Sequence, residues 1–448
     1  MKLIEHIVIV GFGSIAQALL PLLRRQYTCD ITILEKIVDA RQEALAVEYS
    51  VNVIEVALTA DNFEAILSSH LSEQTFLLNL AVSVSSVDLI RLAQSHGALY
   101  LDTCIEPWGY AEEGATLTSN FALRERMKEM AAQMGQGFAT AIVAHGANPG
   151  FISVLLKKAL IDMAMLNDVT FRPHKHEEWA ILAQALGVRV IQISERDTQV
   201  SFEKSPVGQF LSTWSVDGLI TECLQPAEMG WGSHEGNPPR GSTKNGYSVA
   251  MKEQGCDVLV KSWSPNALEF QAYLLTHNES LSIAEYLTIG DHVNPAYRPT
   301  VYYAYHPCDQ AVKSIGLLRK EGRNEVVSKK VLMGSVVSGI DELGVFLISD
   351  IYSSYWLGSN LSIGKARKMA KYNNATSLQV VSSVLAGMAW AQAHPAEGLV
   401  ESEKLDWQAV YEFAKAYWEP LVSQETNWAP TQSQNQLLFE NFRVLEQR

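Results

Sequence analysis

Ile7-Val8-Ile9-Val10-Gly11-Phe12-Gly13-Ser14-Ile15-Ala16-Gln17 is the stretch whose reading decides the fold. Four β-branched residues predict a buried strand, and the chain then turns into a helix over 14–25. Gly11 suits the tight turn, Gly13 lets a pyrophosphate approach the backbone, and Ala16 allows close packing of helix on sheet. The helix N-terminus supplies unpaired N–H groups and the positive end of a dipole. Glu35 closes the next strand 22 residues after Gly13 (35 − 13), where an acid hydrogen-bonds the adenosine ribose hydroxyls. Gly11, Gly13, Ser14, Ile15 and Glu35 are thus candidate cofactor residues. The acid favours NAD, while the adjoining Lys36 leaves NADP open.

Outward from this stretch, short apolar runs alternate with helical patterns. Strands are predicted over 31–34, 51–56, 76–80 and 98–101, with helices over 40–47, 61–71 and 86–96 between them. That alternation implies an α/β fold, a Rossmann-type doubly wound parallel sheet, over residues 1–147. Ligands in such sheets bind beyond the carboxyl ends of the strands. Asn79, Ala81, Asp102 and Thr103 are therefore expected near the cofactor. After residue 147 the rhythm changes. A helix over 176–186 and strands over 187–193, 257–263, 268–275, 300–305 and 344–349 predict a second, α+β domain with a mixed sheet over 148–372. Residues 226–247, rich in Gly, Pro and Asn, read as a long structured loop of the kind that often carries function. From 373 to 448 the pattern is helical (378–392, 407–418, 435–445).

The chain has 448 residues, is 47% hydrophobic and 19% charged, and carries 35 Lys+Arg against 49 Asp+Glu, a net charge of −14. Domains average about 150 residues, so two or three are expected. Disorder is excluded by the apolar content, and nucleic acid is disfavoured by the negative charge. Five scattered cysteines without a C-x-x-C pair argue against a disulfide scaffold or a zinc site. His174 and His176 beside Glu177 and Glu178 lack metal-ligand spacing, so no metal is expected. The apolar start is broken by Gly11, Gly13 and Pro21, and no run is long enough to span a membrane. A soluble cytoplasmic protein is the expectation. Trp214, with Asp217 and Glu222 following, could hold an organic cation, although core packing is the readier account of such a tryptophan from sequence alone. Asn148, in His145-Gly-Ala-Asn-Pro-Gly150, could hold a nicotinamide or a substrate amine, or simply turn the chain.

Tyr100-Leu-Asp-Thr-Cys-Ile-Glu-Pro-Trp108, Ala144-His-Gly-Ala-Asn-Pro-Gly150, Gly230-Trp-Gly-Ser-His-Glu235 and His277-Asn278-Glu279, together with the opening stretch, resemble the bacterial homospermidine synthases. These belong to a wider saccharopine dehydrogenase-like group. The resemblance covers essentially the whole chain, and the helix after Ser377 is similar to the one by which that group returns to its cofactor domain.

The resemblance implies a transferase that joins two putrescine units into homospermidine with loss of ammonia. It also implies spermidine as an alternative donor, with release of diaminopropane. NAD is a recycled prosthetic group in that family, taking a hydride and returning it after an imine has formed between the substrates. By matching motif, Glu106, Glu195 and Glu222 would bind amines and handle protons, Trp214 would offer a cation–π surface, and Asn148 would lie between nicotinamide and substrate. His277 is carried over as a further candidate, with Glu279 and Asp341 as weaker ones. A homodimer is also implied. The alternative is an NAD(P)-dependent dehydrogenase of the same group acting on saccharopine or a carboxylated polyamine, which would need Arg or Lys against its substrate.

Overall fold

The computed structural model describes residues 2–110, 114, 117–134, 137–204, 206–318, 326–431 and 437–444. It divides into two compact units, Met1–Phe151 with Ala366–Tyr417, and Ile152–Lys365 with Trp418–Arg448.

The first unit is built on six strands in chain order: β1 (His6–Val10), β2 (Asp30–Glu35), β3 (Asn52–Glu55), β4 (Thr75–Asn79), β5 (Leu99–Asp102) and β6 (Ala141–Val143). They pair in the order β6-β5-β4-β1-β2-β3, all parallel. β1 is buried at four of its five positions, as a run of β-branched residues covered on both faces should be. A later strand, Leu399–Glu401, adds in parallel to β6 as the seventh. The long helix Ala375–Ala393 precedes that strand. It starts on an Asn374 capping box with Ser377, and Asn373 anchors it by donating to the Ala18 carbonyl at 2.9 Å.

The second unit holds a ten-stranded mixed sheet. Its central strand, Val188–Asp197, runs parallel to Thr300–His306 and antiparallel to Ile340–Ser349. One face packs Val190, Val260, Leu274, Tyr302, Phe346 and Trp356 into a core. Because side chains alternate along a strand, the opposite face receives Glu195, Asp197, Tyr303, Tyr305 and Asp341. The register sets Tyr305 opposite Glu195, and Asp341 opposite Asp197.

Two expectations need correction here. The strand expected over 187–193 continues to Asp197, because its acids alternate with Ser194 and Arg196 and only one face of the strand is acidic. The segment 373–448 is not one helical body. Beyond Tyr417 it belongs to the second unit, where Leu421–Thr426 forms a strand against Ser354–Ser362. Of the helix expected over 435–445, residues 437–444 are described and contain one turn, Phe439–Phe442, while Asn435, Gln436 and Leu445 lie outside the described residues. Among the described residues no helix is long and apolar enough to cross a membrane.

Candidate active site

At the carboxyl end of β1, Gly11 has φ +92°, and a Cβ there would lie 2.9 Å from the Ala81 Cα. Only glycine allows this approach of two backbone turns. Gly13 faces open space and serves as N-cap of helix Ser14–Gln26 without any side-chain cap. Ser14 and Ile15 begin the helix half-buried, and its first turn contains no acid. An uncapped helix N-terminus beside an unobstructed glycine is a cradle for an anion. Glu35 stands half-buried at the end of β2, where its carboxylate accepts the Phe12 N–H at 2.5 Å and the Lys36 N–H at 2.7 Å. These residues fit a dinucleotide: Gly13 leaves the helix N-terminus open and Glu35 brings a carboxylate to the end of the next strand.

The other residues expected at this edge divide into two kinds. Ala81 and Thr103 are half-buried, and Ala81 abuts Gly11 directly. Asn79 and Asp102 are buried and spend their polar atoms on the sheet itself. Asn79 donates to the Val84 carbonyl, and Asp102 accepts the Ala144 N–H at 2.6 Å and the Tyr100 hydroxyl at 2.8 Å. Burial pushes the Asp102 carboxyl up to about 7. The geometry thus gives Asn79 and Asp102 a framing position at the edge. Glu106 is buried and accepts the Ser83 N–H at 2.9 Å. Asn148 is half-buried in the turn closed by the Gly146 N–H on the Pro149 carbonyl at 2.7 Å.

On the second unit a group of acids gathers around one imidazole. His277 precedes helix Asn278–Tyr286, and this helix lies on strand Pro226–Gly230 because Gly230 leaves room: a Cβ there would overlap Ala284 and the Ser280 carbonyl. His277 Nε2 stands 3.1 Å from Glu222 of helix Val216–Leu224, and Nδ1 stands 3.0 Å from Glu279. Burial alone would lower His277, but the Glu279 and Glu222 carboxylates outweigh it and hold it well above its ordinary value. Burial raises Glu222, against the pull of His277. The second carboxylate oxygens of Glu222 and Glu279 are buried without a hydrogen-bond partner, an arrangement that native proteins rarely leave unfilled.

Tyr303 links this group to the sheet. Its hydroxyl donates to Glu195 at 2.6 Å, and its ring centroid lies 4.2 Å from that of His277. Tyr305 stacks behind it at 5.3 Å with rings 12° apart. The Tyr305 hydroxyl is buried without a partner, and burial together with Glu195, Asp197 and Asp341 keeps it protonated far above its ordinary value. Trp214 is half-buried just before the helix that carries Glu222, and its indole covers Gly218, where a Cβ would stand 2.9 Å from the ring.

The structure therefore brings Glu195, Glu222, His277 and Glu279 into one network, with Asp341 on the same sheet face. Asp217 is not in it: it pairs with Lys329 at the surface. Of the loop expected over 226–247, Pro226–Gly230 is a strand, and polar side chains beyond it are tied into the fold. His234 meets the Leu437 carbonyl, Glu235 accepts from Thr300 and Phe439, and buried Arg298 donates to the Trp231 carbonyl. Glu178 accepts from the His174 and Lys175 N–H groups at a helix start. Among the described residues, no set of three His, Cys, Asp or Glu side chains is arranged to hold a metal. Tyr303, Tyr305 and Asp197 were not foreseen. The readable signal was period two: Tyr303 and Tyr305 alternate with the core residues Tyr302 and Ala304.

Comparison with known proteins agrees with both halves. Residues 7–142 match the family described as saccharopine dehydrogenase NADP binding domain, and residues 146–426 match the saccharopine dehydrogenase C-terminal domain. The chain is 42% identical to the homospermidine synthase of Blastochloris viridis over 95% of its length and 92% of that protein's. It is 38% identical to that of Mesorhizobium japonicum over 95% and 91%. A crystal structure of the Legionella pneumophila homospermidine synthase in complex with NAD superposes with a TM-score of 0.92 at 36% identity, covering 99% of each chain. A saccharopine dehydrogenase of Saccharomyces cerevisiae shares the fold at a TM-score of 0.51 and 10% identity, over 94% of this chain and 100% of that one.

Proposed function

We propose that this chain, which belongs to the homospermidine synthase family of saccharopine dehydrogenase-like proteins, transfers a 4-aminobutyl group from putrescine or spermidine to putrescine. Ammonia or diaminopropane leaves, and homospermidine is formed without net redox. The observation that carries the reading is the acid group around His277, buried Glu195 and Glu279 with half-buried Glu222, which includes two buried carboxylate oxygens lacking partners. Buried acids of this density need cations, and a diamine brings one at each end. A carboxylated substrate would add negative charge to an already acidic enclosure, which disfavours the saccharopine-type alternative.

NAD would supply the hydride acceptor and donor that the conversion requires, and Gly11, Gly13, Ser14, Ile15 and Glu35 would hold it. The chain's own residues handle protons and charge. In the resting protein the His277 imidazolium balances Glu222 and Glu279. An ammonium entering beside them meets the two unpartnered oxygens, and Glu222, which burial has made more basic than an ordinary carboxylate, accepts its proton to leave a reactive neutral amine. Glu279 keeps His277 charged. Glu195, fixed by the Tyr303 hydroxyl, holds an amine on the sheet side, with Asp341 beyond it. Trp214 offers an indole face to the cationic carbon–nitrogen centre that develops between the two substrates. On the cofactor unit, Glu106 and Asn148 are the polar residues that the family resemblance assigns to amine and nicotinamide. Burial of these groups keeps water from the imine, which would otherwise be lost to hydrolysis.

The same reading includes a homodimer in the cytoplasm. Purified protein incubated with putrescine and NAD should form homospermidine and ammonia. Activity with a carboxylated polyamine and none with putrescine would overturn the assignment.

A further inference from the structure

Tyr303 occupies a position that no motif singled out. It sits on strand Thr300–His306 and is fully buried for its size. Its hydroxyl reaches Glu195 of the neighbouring strand at 2.6 Å, while its ring covers His277, centroid to centroid, at 4.2 Å and 31°. Tyr305 stacks on the same side of the strand and limits where the ring can move. Burial and the Glu195 charge keep the phenol protonated far beyond neutral pH, so it remains a donor throughout the working range. A π-face this close to an imidazolium stabilises the cation, and a phenol donor to a carboxylate is among the stronger neutral-to-charged hydrogen bonds. One side chain therefore touches both the anionic and the cationic member of the acid group.

Taking the diamine reaction above as given, we propose that Tyr303 is the positioning residue of this site, its hydroxyl fixing the orientation of Glu195 and its ring seating the His277 side chain between Glu222 and Glu279. The groups facing His277 are Glu222 from helix Val216–Leu224, Glu279 from helix Asn278–Tyr286, and Tyr303 from its strand. Glu228 of strand Pro226–Gly230 lies one residue away, accepting the Thr276 hydroxyl. The two halves of the Tyr303 side chain act on different partners, so two substitutions separate them. Tyr303→Phe removes only the oxygen and with it the hydroxyl's hold on Glu195. Tyr303→Met keeps apolar bulk but removes the π-face from His277. Neighbouring Tyr302 is the natural control, because its hydroxyl points to the other face of the sheet, where Gln192 donates to it at 2.7 Å.

The test uses the full-length protein with NAD, putrescine as substrate, and isotope-labelled histidine, the His277 signal being assigned by its loss in His277→Gln. Tyr303→Phe should lower kcat on putrescine by about 10- to 100-fold, the size expected for a lost hydrogen bond to a charged group. KM for NAD and the His277 titration should hardly change. Tyr303→Met should also move the His277 titration midpoint to lower pH. Tyr302→Phe should leave both readouts at wild-type values. Wild-type kcat in Tyr303→Phe, or an unchanged His277 midpoint in Tyr303→Met, would overturn the positioning role. Should the Met variant fail to fold, the kcat of Tyr303→Phe decides alone. The titration needs no turnover, so a protein inactive on putrescine would sink the assigned reaction while still showing whether Tyr303 governs His277.

Discussion

Glu222→Gln removes one charge from the acid group with almost no change of shape. His277 Nε2 and the Glu222 carboxylate are 3.1 Å apart. At an effective dielectric of about 20, their attraction is 332/(20 × 3.1), about 5 kcal/mol. Holding the Glu222 carboxylate out of water costs several kcal/mol in return. The net loss expected is about 1–3 kcal/mol, or roughly 2–4 °C in Tm for each kcal/mol in a unit of this size. The sign depends on pH. His277 titrates above its ordinary value in the folded protein, so its contribution to stability is complete below about 6.5 and fades as pH rises through the folded value. Glu222→Gln should therefore be destabilised most at mildly acidic pH, and the gap should close under alkaline conditions where His277 is neutral in both proteins. Thermal unfolding across pH measures this directly. In kinetics, KM for putrescine should rise about 10- to 100-fold, while NAD binding, which belongs to the other unit, stays as it was. A variant with wild-type Tm at acidic pH and wild-type KM would refute the paired-charge account of this site.

Glu35→Ala should weaken NAD binding about tenfold, because it removes the ribose acceptor and the Phe12 N–H partner together, as a fluorescence titration would show. Trp214→Ala should lower turnover by about tenfold or more with NAD affinity intact, and Trp214→Phe should do less damage. Equal rates for those two variants would remove the cation–π role. Gly230→Ala drives a Cβ into Ala284 and the Ser280 carbonyl. It should cost about 1–3 kcal/mol by overpacking and slow turnover by shifting the helix that follows His277, seen as a lowered Tm with a lowered kcat.

The cofactor end was legible in the sequence because its determinants are local. A strand, two glycines, a helix and an acid lie within residues 7–35, and each has one physical reason to be there. The acid group was legible only in pieces. Glu195, Glu222 and His277 come from two strand ends and a helix far apart in the chain, so their convergence depends on sheet register, which composition does not encode. Glu195 stands in Ser194-Glu-Arg-Asp197, a polar run that reads as a strand ending, whereas the strand continues and turns its acids to one face. Tyr303 and Tyr305 lie in an apolar run where alternation separates core from site, and both faces of that run carry tyrosine. Asn79 and Asp102 were singled out by position alone. Their place at strand ends suggested ligand contacts, yet their side chains are spent on the Val84, Ala144 and Tyr100 groups that frame the edge.

The central claim is that an acidic enclosure and a recycled dinucleotide together join two diamines without net oxidation. The most direct measurement supplies putrescine in large excess over NAD and follows homospermidine, ammonia and NADH together. The account predicts many equivalents of homospermidine for each NAD, ammonia in equal amount, and no accumulating NADH. Product limited to one equivalent per NAD, or NADH rising in step with it, would contradict it.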